Sequence, residues 1–409
     1  MPKWIHPLSA DVTQTPDVIG GKAFGLILLR RLGLPVPPGF VITAEACRHF
    51  LRHNDFPDGL PAEIAAAAAG LRQISVRSGA QVSMPGMMNT ILDLDPGKVL
   101  PAVAEVFRSW DTPRARTYRE LNDIPDDLGT AVTVQEMVYG DRDEHSGAGV
   151  AFSRDPNTGD RTVFGELLFG HHGEDVVSGR RQTLPLAELT REPKAWADLH
   201  DGLRTIEEHY RDACYVEFTV ETGKLWFLQV RPAKLVGRAA VRVAVDLADE
   251  GAITRSEAVS RVAREDLKRA TIPRMVADVV QARGLGACPG VTTGKVATTA
   301  DQAVRMAAEG PVILVRPFTS PLDMHGLAAA AGVVTAKGGP ASHAAVVARA
   351  MGKPAVVGVG DLGIPQGTLI TIDGTSGEIA LGRAPMVTGE NDPYVTRLSE
   401  WSARPPSRA

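Results

Sequence analysis

From about residue 284 the chain alternates short apolar runs with segments of helical apolar spacing, and this alternation limits the possible folds. The apolar runs are GKVATT, PVILVRP, AGVVTA and PAVVGV, which are rich in β-branched residues and bounded by glycine or proline. Helical candidates lie between them at 300–309, 321–330 and 343–351. Alternating strands and helices predict an α/β domain. The pattern GTLITIDGTSGEIALG, at 367–382, predicts a closing hairpin.

The residues before this domain mix both patterns, so the whole chain is predicted to be α/β or α+β. AFGLILLRRLG has helical spacing and stops at Gly33 before PVPP, and ISVRSG at 74–79 alternates like a strand. ACYVEFTVETGKLWFLQVRP, at 213–232, predicts a hairpin that turns at ETGK. Residues 236–283 are mostly helix-like and are expected to link two units. The Pro-, Ser- and Arg-rich tail is expected to hold no further domain.

Composition excludes several classes of protein. With 44% apolar residues, 22% charged residues and a net charge of −4, neither a nucleic acid nor a membrane is an expected partner. No window approaches 18 apolar residues, and MPKWIHPLSADVTQ does not resemble a signal peptide. Cys47, Cys214 and Cys288 are far apart, which disfavours a zinc site or disulfide framework. A cytoplasmic enzyme is therefore expected.

The segment GGPASHAAVVARAMGKPAVVG, at 338–358, holds the first chemical candidate. Ser342 is a predicted N-cap, His343 falls in the first helical turn, and Gly352 is a predicted C-terminal glycine. Unpaired N–H groups and the helix dipole favour an anion at that end, such as a phosphoryl group on the imidazole. A neutral imidazole can attack phosphorus near pH 7. Gly338 and Gly339 would let backbone or substrate approach closely.

The local pattern alone leaves a second interpretation open, because a histidine behind a serine N-cap is commonly an ordinary surface residue. A serine–histidine hydrolase pair is not expected, since the two residues are sequence neighbours at a helix start. Nearby, Thr319, Ser320 and His325 in TSPLDMHG could help seat the loaded domain, and capping of the next helix explains Ser320 equally well. The nucleophile interpretation requires a phosphate donor elsewhere in the chain.

The first half of the chain offers such a donor site. Lys22 follows two glycines at a helix start, and Arg77 lies at the end of a strand. Glu217 and Gln229 supply oxygen atoms that suit magnesium, and alternation places Gln229 and Arg231 on one strand face. Taken alone, a lysine in a glycine turn or an arginine in a strand is more commonly an ordinary surface residue. GGKAFG is not a Walker A motif, so a P-loop is not supported.

Together these stretches resemble the pyruvate, phosphate dikinase family. The matching blocks cover nearly the whole chain in family order, and they are GGKAFGLILLRRLGLPVPPGFVIT, SVRSGAQVSMPGMMNTILDL, RTYRELNDIPDDLGTAV, GAGVAFSRDPNTG, GEDVVSG, VEFTVETGKLWFLQVR and GGPASHAAVVARAMGKPAVVG. The resemblance implies an ATP-grasp nucleotide-binding domain over 1–235, with subdomains at about 1–95 and 125–235. It further implies a helical linker over 236–283, a swivelling β/α phosphohistidine domain over 284–383 and a C-terminal tail over 384–409.

The resemblance also implies an activity. In the family, ATP phosphorylates the histidine with release of AMP, and inorganic phosphate takes the other phosphoryl group. The loaded domain then swings to a separate site and phosphorylates pyruvate, or the sequence runs in reverse from phosphoenolpyruvate. Carried over, the phosphocarrier is His343, the magnesium ligands are Glu217 and Gln229, and the ATP-binding residues are Lys22, Arg77, Gln135, Glu136, Met137, Val138, Gly149 and Arg231. Among these, Lys22, Arg77 and Arg231 would clamp phosphates, residues 135–138 would line the adenine pocket, and the loops at Gly86 and Gly149 would lie near the phosphates.

Several departures from the family pattern qualify this expectation. The pyruvate-binding barrel is missing, so a separately encoded barrel protein is the expected partner, and a helical insertion after ILDL is absent, as in phosphoenolpyruvate synthases. Tyr215 replaces an expected metal-binding acid, and Ala148 replaces a threonine of a phosphate loop. Ala341 replaces a threonine, which excludes regulatory phosphorylation there, and Pro340 is unusual in that loop. Two alternatives therefore remain: an AMP-forming kinase of another small-molecule acceptor, and a nucleotide-binding regulator with reduced catalysis.

Overall fold

The computed structural model describes residues 4–82, 84, 86–179, 181–270, 274–277, 279–387 and 392–403. Its α-helices are α1 Pro16–Arg31, α2 Ala44–His53, α3 Leu60–Ala68, α4 Val99–Ser109, α5 Pro113–Leu121, α6 Gly173–Val177, α7 Pro193–Tyr210, α8 Gly237–Asp249, α9 Arg255–Arg261, α10 Arg264–Ala270, α11 Ala300–Ala307, α12 Met324–Ala329, α13 His343–Met351 and α14 Pro393–Ala403. Within the described ranges, no helix has the length and apolarity that a membrane span requires.

The described strands are from 2 to 9 residues long. They are β1 Ile5–Pro7, β2 Gly39–Ile42, β3 Ile74–Gly79, β4 Thr90–Leu94, β5 Ala131–Glu136, β6 Gly147–Phe152, β7 Phe164–Phe169, β8 Leu184–Pro185, β9 Cys214–Glu221, β10 Lys224–Pro232, β11 Arg274–Met275, β12 Ala282–Arg283, β13 Leu285–Cys288, β14 Val291–Ala297, β15 Val312–Arg316, β16 Gly332–Thr335, β17 Ala355–Val357, β18 Leu369–Asp373, β19 Glu378–Leu381 and β20 Met386–Val387. Helices and strands are thus mixed along the chain, which confirms the predicted α/β class.

Two compact units divide the chain, and the first contains residues 1–147 and 216–231. Its sheet has the order β1-β2-β5-β3-β4, and its described pairings are antiparallel. Val134 of β5 lies opposite Phe40 on one side and Val76 on the other. These side chains join the aromatic rings of Phe50 and Phe107 in an apolar core on which α2, α3 and α4 pack. The β9–β10 hairpin belongs to this unit from Val216 to Arg231.

The second unit contains residues 148–215 and 232–409. Its larger sheet has eight strands in the order β12-β19-β18-β14-β15-β16-β17-β13, and strands β14 to β17 are parallel neighbours. Helices α11, α12 and α13 connect these parallel strands, as the alternating sequence pattern predicted. Strands β6, β7 and β8 lie side by side in the same unit. The topology places the start of α13 at the carboxyl end of β16, an edge where α/β sheets commonly hold ligands.

The structure differs from the sequence expectation in the segments on both sides of the predicted domain at 284–383. The segment 236–283 is helical only as far as Ala270 and then contributes β11 and β12 to sheets. The expected tail contains α14, whose Leu398 is buried against α8 and α9. Its apolar positions are few and separated by polar residues, which hid the helix in the sequence. Residues 271–273, 278, 388–391 and 404–409 of these segments lie outside the described residues.

A buried ion cluster ties three elements of the second unit together. Arg154 follows β6 and has no exposed side-chain surface. Its Nε and Nη2 donate to Oε1 of Glu207 on α7, at 3.0 and 2.7 Å, and Nη2 also donates to Glu250 after α8 at 2.9 Å. A guanidinium in such a place requires paired carboxylates, because an unpaired buried charge is costly.

We expect Glu207→Ala to lower the free energy of unfolding by about 3 kcal/mol, because it leaves Arg154 buried with weaker pairing. The matched control is Glu208→Ala, an exposed neighbour on the same helix, which should change stability by less than about 0.5 kcal/mol. Urea unfolding of both variants measures the difference. If Glu207→Ala and Glu208→Ala changed the free energy of unfolding equally little, Glu250 alone would be enough to pair with the Arg154 guanidinium.

Candidate functional site

Lys22 is placed by a close approach between α1 and β3 in the first unit. Gly20 has a left-handed φ of 74°, which kinks α1, and a Cβ atom at this position would overlap the carbonyl group of Gly79. A Cβ added at Gly79 would in turn lie 3.2 Å from Cβ of Lys22. The glycines of this turn therefore set the lysine directly beside the end of β3.

Arg77 lies on the same strand and is held by the neighbouring β5. Its Nη2 donates to the side-chain oxygen of Gln135 at 2.5 Å and to the backbone oxygen of Leu228 at 3.4 Å. The Gln135 amide nitrogen donates to the carbonyl of Pro37 at 3.0 Å, so both ends of that amide are engaged. Nε of Arg77 is buried without a hydrogen-bond partner among the described residues. The guanidinium is thus fixed in position with one buried donor unused.

The two cations lie in a setting that is costly without an anion. Burial, together with the charge of Arg77, lowers the pKa of Lys22 to about 7, and the charge of Glu217 opposes the shift only in part. Burial also lowers the pKa of Arg77, again opposed by Glu217. A half-buried lysine and a buried arginine near one carboxylate leave a surplus of positive charge. An arrangement of this kind suits a polyanionic ligand such as a nucleotide phosphate chain.

The remaining predicted nucleotide-binding residues of this unit lie around the same strands. Glu136 ends β5, and its backbone N–H donates to Pro38, while the N–H of Met137 donates to Gln73 at 2.8 Å. Glu136, Met137 and Val138 are half-buried. The structure therefore places residues 136–138 at the end of β5, directly after the residue that anchors Arg77.

Glu217 on β9 and Gln229 and Arg231 on β10 are also half-buried, and Gln229 and Arg231 flank the buried Val230. Across the part of the chain that the structure describes, no group of three or more His, Cys, Asp or Glu side chains is arranged to hold a metal ion. Magnesium commonly uses one or two protein carboxylates and completes its shell with water and substrate phosphates. Glu217 and the Gln229 amide fit that pattern.

The predicted site residues of the second unit divide between β6 and α13. Ala148 and Gly149 lie inside β6, where every residue is buried. Tyr215 is 3% exposed, and its ring meets Phe152 edge-on at 5.0 Å between centroids. This apolar environment replaces the carboxylate that the family pattern led us to expect, so the described residues supply no second acidic metal ligand at position 215.

His343 begins α13, as predicted, and its ring is held from the preceding turn. Thr319 Oγ1 lies 3.1 Å from His343 Nδ1, and Nε2 is buried without a hydrogen-bond partner among the described residues. The carboxylate of Asp323 accepts from the backbone N–H of Ser320 at 2.8 Å and from its hydroxyl at 3.1 Å, which fixes the turn that carries Thr319. One imidazole nitrogen is therefore engaged, and the other makes no hydrogen bond to the described residues.

Burial also sets the protonation state of this ring. It lowers the pKa of His343 to about 4, and the charge of Asp323 opposes the shift only in part. A neutral imidazole keeps a lone pair on one ring nitrogen, which is the requirement for a nucleophile. The site thus combines a neutral imidazole with the positive end of a helix.

The loop before His343 differs in detail from the sequence prediction. Ser342 occupies the N-cap position, but its hydroxyl makes no capping bond and is buried without a partner among the described residues. Gly338 has a φ of 88°, where glycine is favoured. Gly339 was expected to admit a ligand or backbone, yet the group beside it is the carboxyl group of Glu166. Arg349 supports the loop by donating to the carbonyls of Pro340 and Ala287.

Sequence reasoning missed several of these supporting groups. Glu166, Asp323 and Arg349 were not singled out because their partners are distant in sequence or are backbone atoms. Ser320 caps the turn at Pro321, as one of the two interpretations predicted. His325 instead lies 2.9 Å from Asp301 on an exposed surface. The motif TSPLDMHG indicated that Thr319 could act near His343, but it did not predict the contact between the two side chains.

Comparison with known proteins assigns this arrangement to a class. Residues 16–70, 52–184 and 188–252 match the family model of the pyruvate phosphate dikinase AMP/ATP-binding domain, and residues 308–377 match that of the mobile domain of PEP-utilising enzymes. The chain is 34% identical to the pyruvate, phosphate dikinases of Rhizobium meliloti and Clostridium symbiosum, and each alignment covers 98% of this chain and 60% of the relative. The chain therefore belongs to the pyruvate, phosphate dikinase family, and it spans about 60% of the length of these relatives.

Solved structures add little to this assignment. The D-alanine-D-alanine ligase from Helicobacter pylori is 10% identical, with 55% of this chain and 56% of the ligase covered at a TM-score of 0.28. A likeness at this level carries no argument. The family assignment rests on the sequence matches.

We expect the His343 ring to remain neutral at pH 5.5, because burial holds its pKa near 4. A histidine with the ordinary pKa of about 6.5 would be roughly nine-tenths protonated at that pH. Nitrogen-15 NMR of histidine-labelled protein, assigned with His343→Asn, reads both the charge and the tautomer. The same protein in denaturant provides the control, and an imidazolium signal from the folded protein at pH 5.5 would contradict the expectation.

Proposed function

We propose that this protein is an ATP-dependent phosphotransferase that carries a phosphoryl group on Nε2 of His343. The observation that carries the proposal is the state of that ring: neutral, anchored through Nδ1 by Thr319, and left with Nε2 unengaged at the start of α13. The names of the relatives and the matches to a nucleotide-binding domain and a mobile domain support it.

In the proposed loading step, the Nε2 lone pair attacks the β-phosphorus of ATP. The bond between that phosphorus and the oxygen of the α-phosphate breaks, and AMP leaves with the electron pair. The imidazole would then carry both the β- and the γ-phosphoryl group. Inorganic phosphate attacks the γ-phosphorus, the bond from that phosphorus to the β–γ bridging oxygen breaks, and the products are phosphohistidine, AMP and pyrophosphate. Attack at the start of α13 places developing negative charge near unpaired backbone N–H groups, which favours the transfer.

The nucleotide is proposed to bind in the first unit. Lys22, Arg77 and Arg231 would contact the phosphate chain, and residues 136–138 would line the adenine pocket. Gly149, which lies inside β6 rather than in a loop, stays a predicted ATP-binding residue. Gln135 would act through Arg77, since both ends of its amide are occupied. Magnesium held by Glu217 and Gln229 would neutralise charge on the transferred phosphoryl group.

The second acceptor is proposed to be pyruvate, which phosphorylation converts to phosphoenolpyruvate, at a site outside these 409 residues. This choice rests on the names of the relatives, which are pyruvate, phosphate dikinases. Another small-molecule acceptor would use the same loading step. ATP binding without AMP formation would instead indicate a nucleotide-binding regulator.

The test is incubation with β-labelled ATP, magnesium and phosphate. We expect an acid-labile, base-stable label on the protein, formed together with AMP, and we expect His343→Asn to abolish it. His325→Asn is the matched control and should be labelled normally. Thr319→Val should slow labelling about fivefold, because loss of one hydrogen bond costs on the order of 1 kcal/mol. Label that survives in His343→Asn would reject the carrier role.

A second prediction concerns the metal. Glu217→Gln removes one charge near Lys22 and Arg77, so we expect the magnesium concentration for half-maximal labelling to rise about tenfold. Binding of ATP without magnesium should be unchanged or tighter, because the remaining positive charge is less opposed. Calorimetry with and without magnesium separates the two effects. An unchanged magnesium requirement would mean that Glu217 is not a ligand.

A further inference from the structure

Glu166 is a buried carboxyl group whose surroundings are formed by the loop that carries His343. It lies on β7, is 4% exposed, and belongs to the same compact unit as that loop. The hydroxyl of Thr183 donates to Oε2 at 3.0 Å, and the backbone N–H of Ala341 also donates to the carboxyl group. Oε1 is buried and has no partner among the described residues.

Gly339 closes the contact from the other side. A Cβ atom built on this residue would overlap the Glu166 carboxyl group. The φ angle of Gly339 lies outside the left-handed range, so its backbone would accept alanine without strain. Among the neighbours that the structure describes, Glu166 is therefore what requires glycine at position 339.

Other residues also join the loop before His343 to the segment that contains β6, β7 and β8. A Cβ added at Gly179 would lie 3.3 Å from Cβ of Ser342, so the turn after α6 also runs close to the loop. Arg349, which supports the loop through Pro340, lies 5.9 Å from the centroid of the Phe152 ring. Ala341 joins the apolar cluster of β6 and β7. The loop is thus seated on the β6–β8 strands by packing and by one carboxyl group.

The carboxyl group makes this contact sensitive to protons. Burial raises the pKa of Glu166 to about 7, and hydrogen bonds from Thr183 and Ala341 and the charge of Arg349 oppose the shift only in part. Arg349 is the charged group that faces Glu166 from α13, and it does not titrate in this range. Once the loop leaves, water can reach the carboxyl group, whose pKa would return towards about 4.3. The docked state therefore binds a proton more tightly.

We propose that Glu166 is a positioning residue that holds the His343 loop in a docked state through Gly339 and the Ala341 amide. Docking takes up a proton, so the docked population falls as pH rises from about 4.5 to 7 and levels off above 7. The docking contact itself does not depend on the proposed function. Only its role in a catalytic cycle rests on the proposed function, in which His343 carries a phosphoryl group. A histidine that carries a phosphoryl group between two sites must leave this seat in each cycle, and Glu166 sets how readily it does.

Hydrogen–deuterium exchange of the segment 336–344 in the full chain measures docking without any reaction. We expect Gly339→Ala to raise exchange of this segment about tenfold by forcing the carboxyl group out of its seat. Glu166→Ala should raise it as well, by removing the acceptor of the Ala341 N–H. In the Glu166→Ala background, adding Gly339→Ala should have almost no further effect, because the clash is gone.

Matched controls separate docking from general destabilisation. Gly70→Ala adds a Cβ in open space, and Glu188→Ala removes an exposed carboxylate, so neither should alter exchange of this segment. A Gly339→Ala effect of equal size with and without Glu166 would overturn the proposal. Exchange that does not change in Glu166→Ala would also overturn it.

Glu166→Gln tests the proton coupling separately from the packing role of Glu166, through the pH dependence of exchange. Its amide oxygen can still accept from Ala341, but the side chain no longer titrates. Protection of 336–344, corrected for the intrinsic exchange rate, should fall about tenfold from pH 5.5 to 7 in the natural protein and stay flat in Glu166→Gln. Equal pH profiles would overturn the proton coupling. Because exchange needs no ATP, failure of His343 labelling alone would reject the proposed function and leave docking testable.

Discussion

The arrangement of the second unit depends on keeping one half-buried imidazole neutral at the start of α13. Thr319 engages Nδ1, Asp323 fixes the turn that carries Thr319, and Arg349 supports the loop before the ring. Each of these contacts limits where Nε2 can point. Burial then removes the proton that would otherwise block that nitrogen at mildly acidic pH. Position and protonation state therefore have the same cause, which is the packing of the turn and the loop around the ring.

The first unit solves a different electrostatic problem. Lys22 and Arg77 are brought together by a glycine contact between α1 and β3, and Glu217 only partly offsets their charge. Folding spends stability to place these cations before any ligand arrives. A bound polyanion would recover that cost, which links binding energy to a geometry that is already formed. Gln135 shows how tightly the geometry is set, because its amide bridges Arg77 and the chain at Pro37.

Two residues that depart from the expected family pattern lie in one apolar cluster of the second unit. Tyr215 turns an expected polar position into part of the apolar cluster with Phe152. Ala341 lies in the same cluster and uses its backbone N–H to contact Glu166. Tyr215 and Ala341 lack the functional groups that the family pattern has at these positions, and both contribute to the packing around the His343 loop. This packing gives them a physical role whatever their effect on catalysis.

The sequence by itself determined the α/β class, the helix that runs from His343 to Met351, the strand at 74–79 and the hairpin at 213–232, because hydrophobic periodicity and glycine or proline boundaries act over a few residues. It also indicated the candidate residues, since their motifs are local. Only the tertiary structure decided that Glu166 meets Gly339, that Gln135 anchors Arg77, that Thr319 engages His343 and that α14 packs on α8 and α9. These contacts join residues far apart in the chain. Burial and pKa shifts depend on such contacts, so no local pattern could have supplied them.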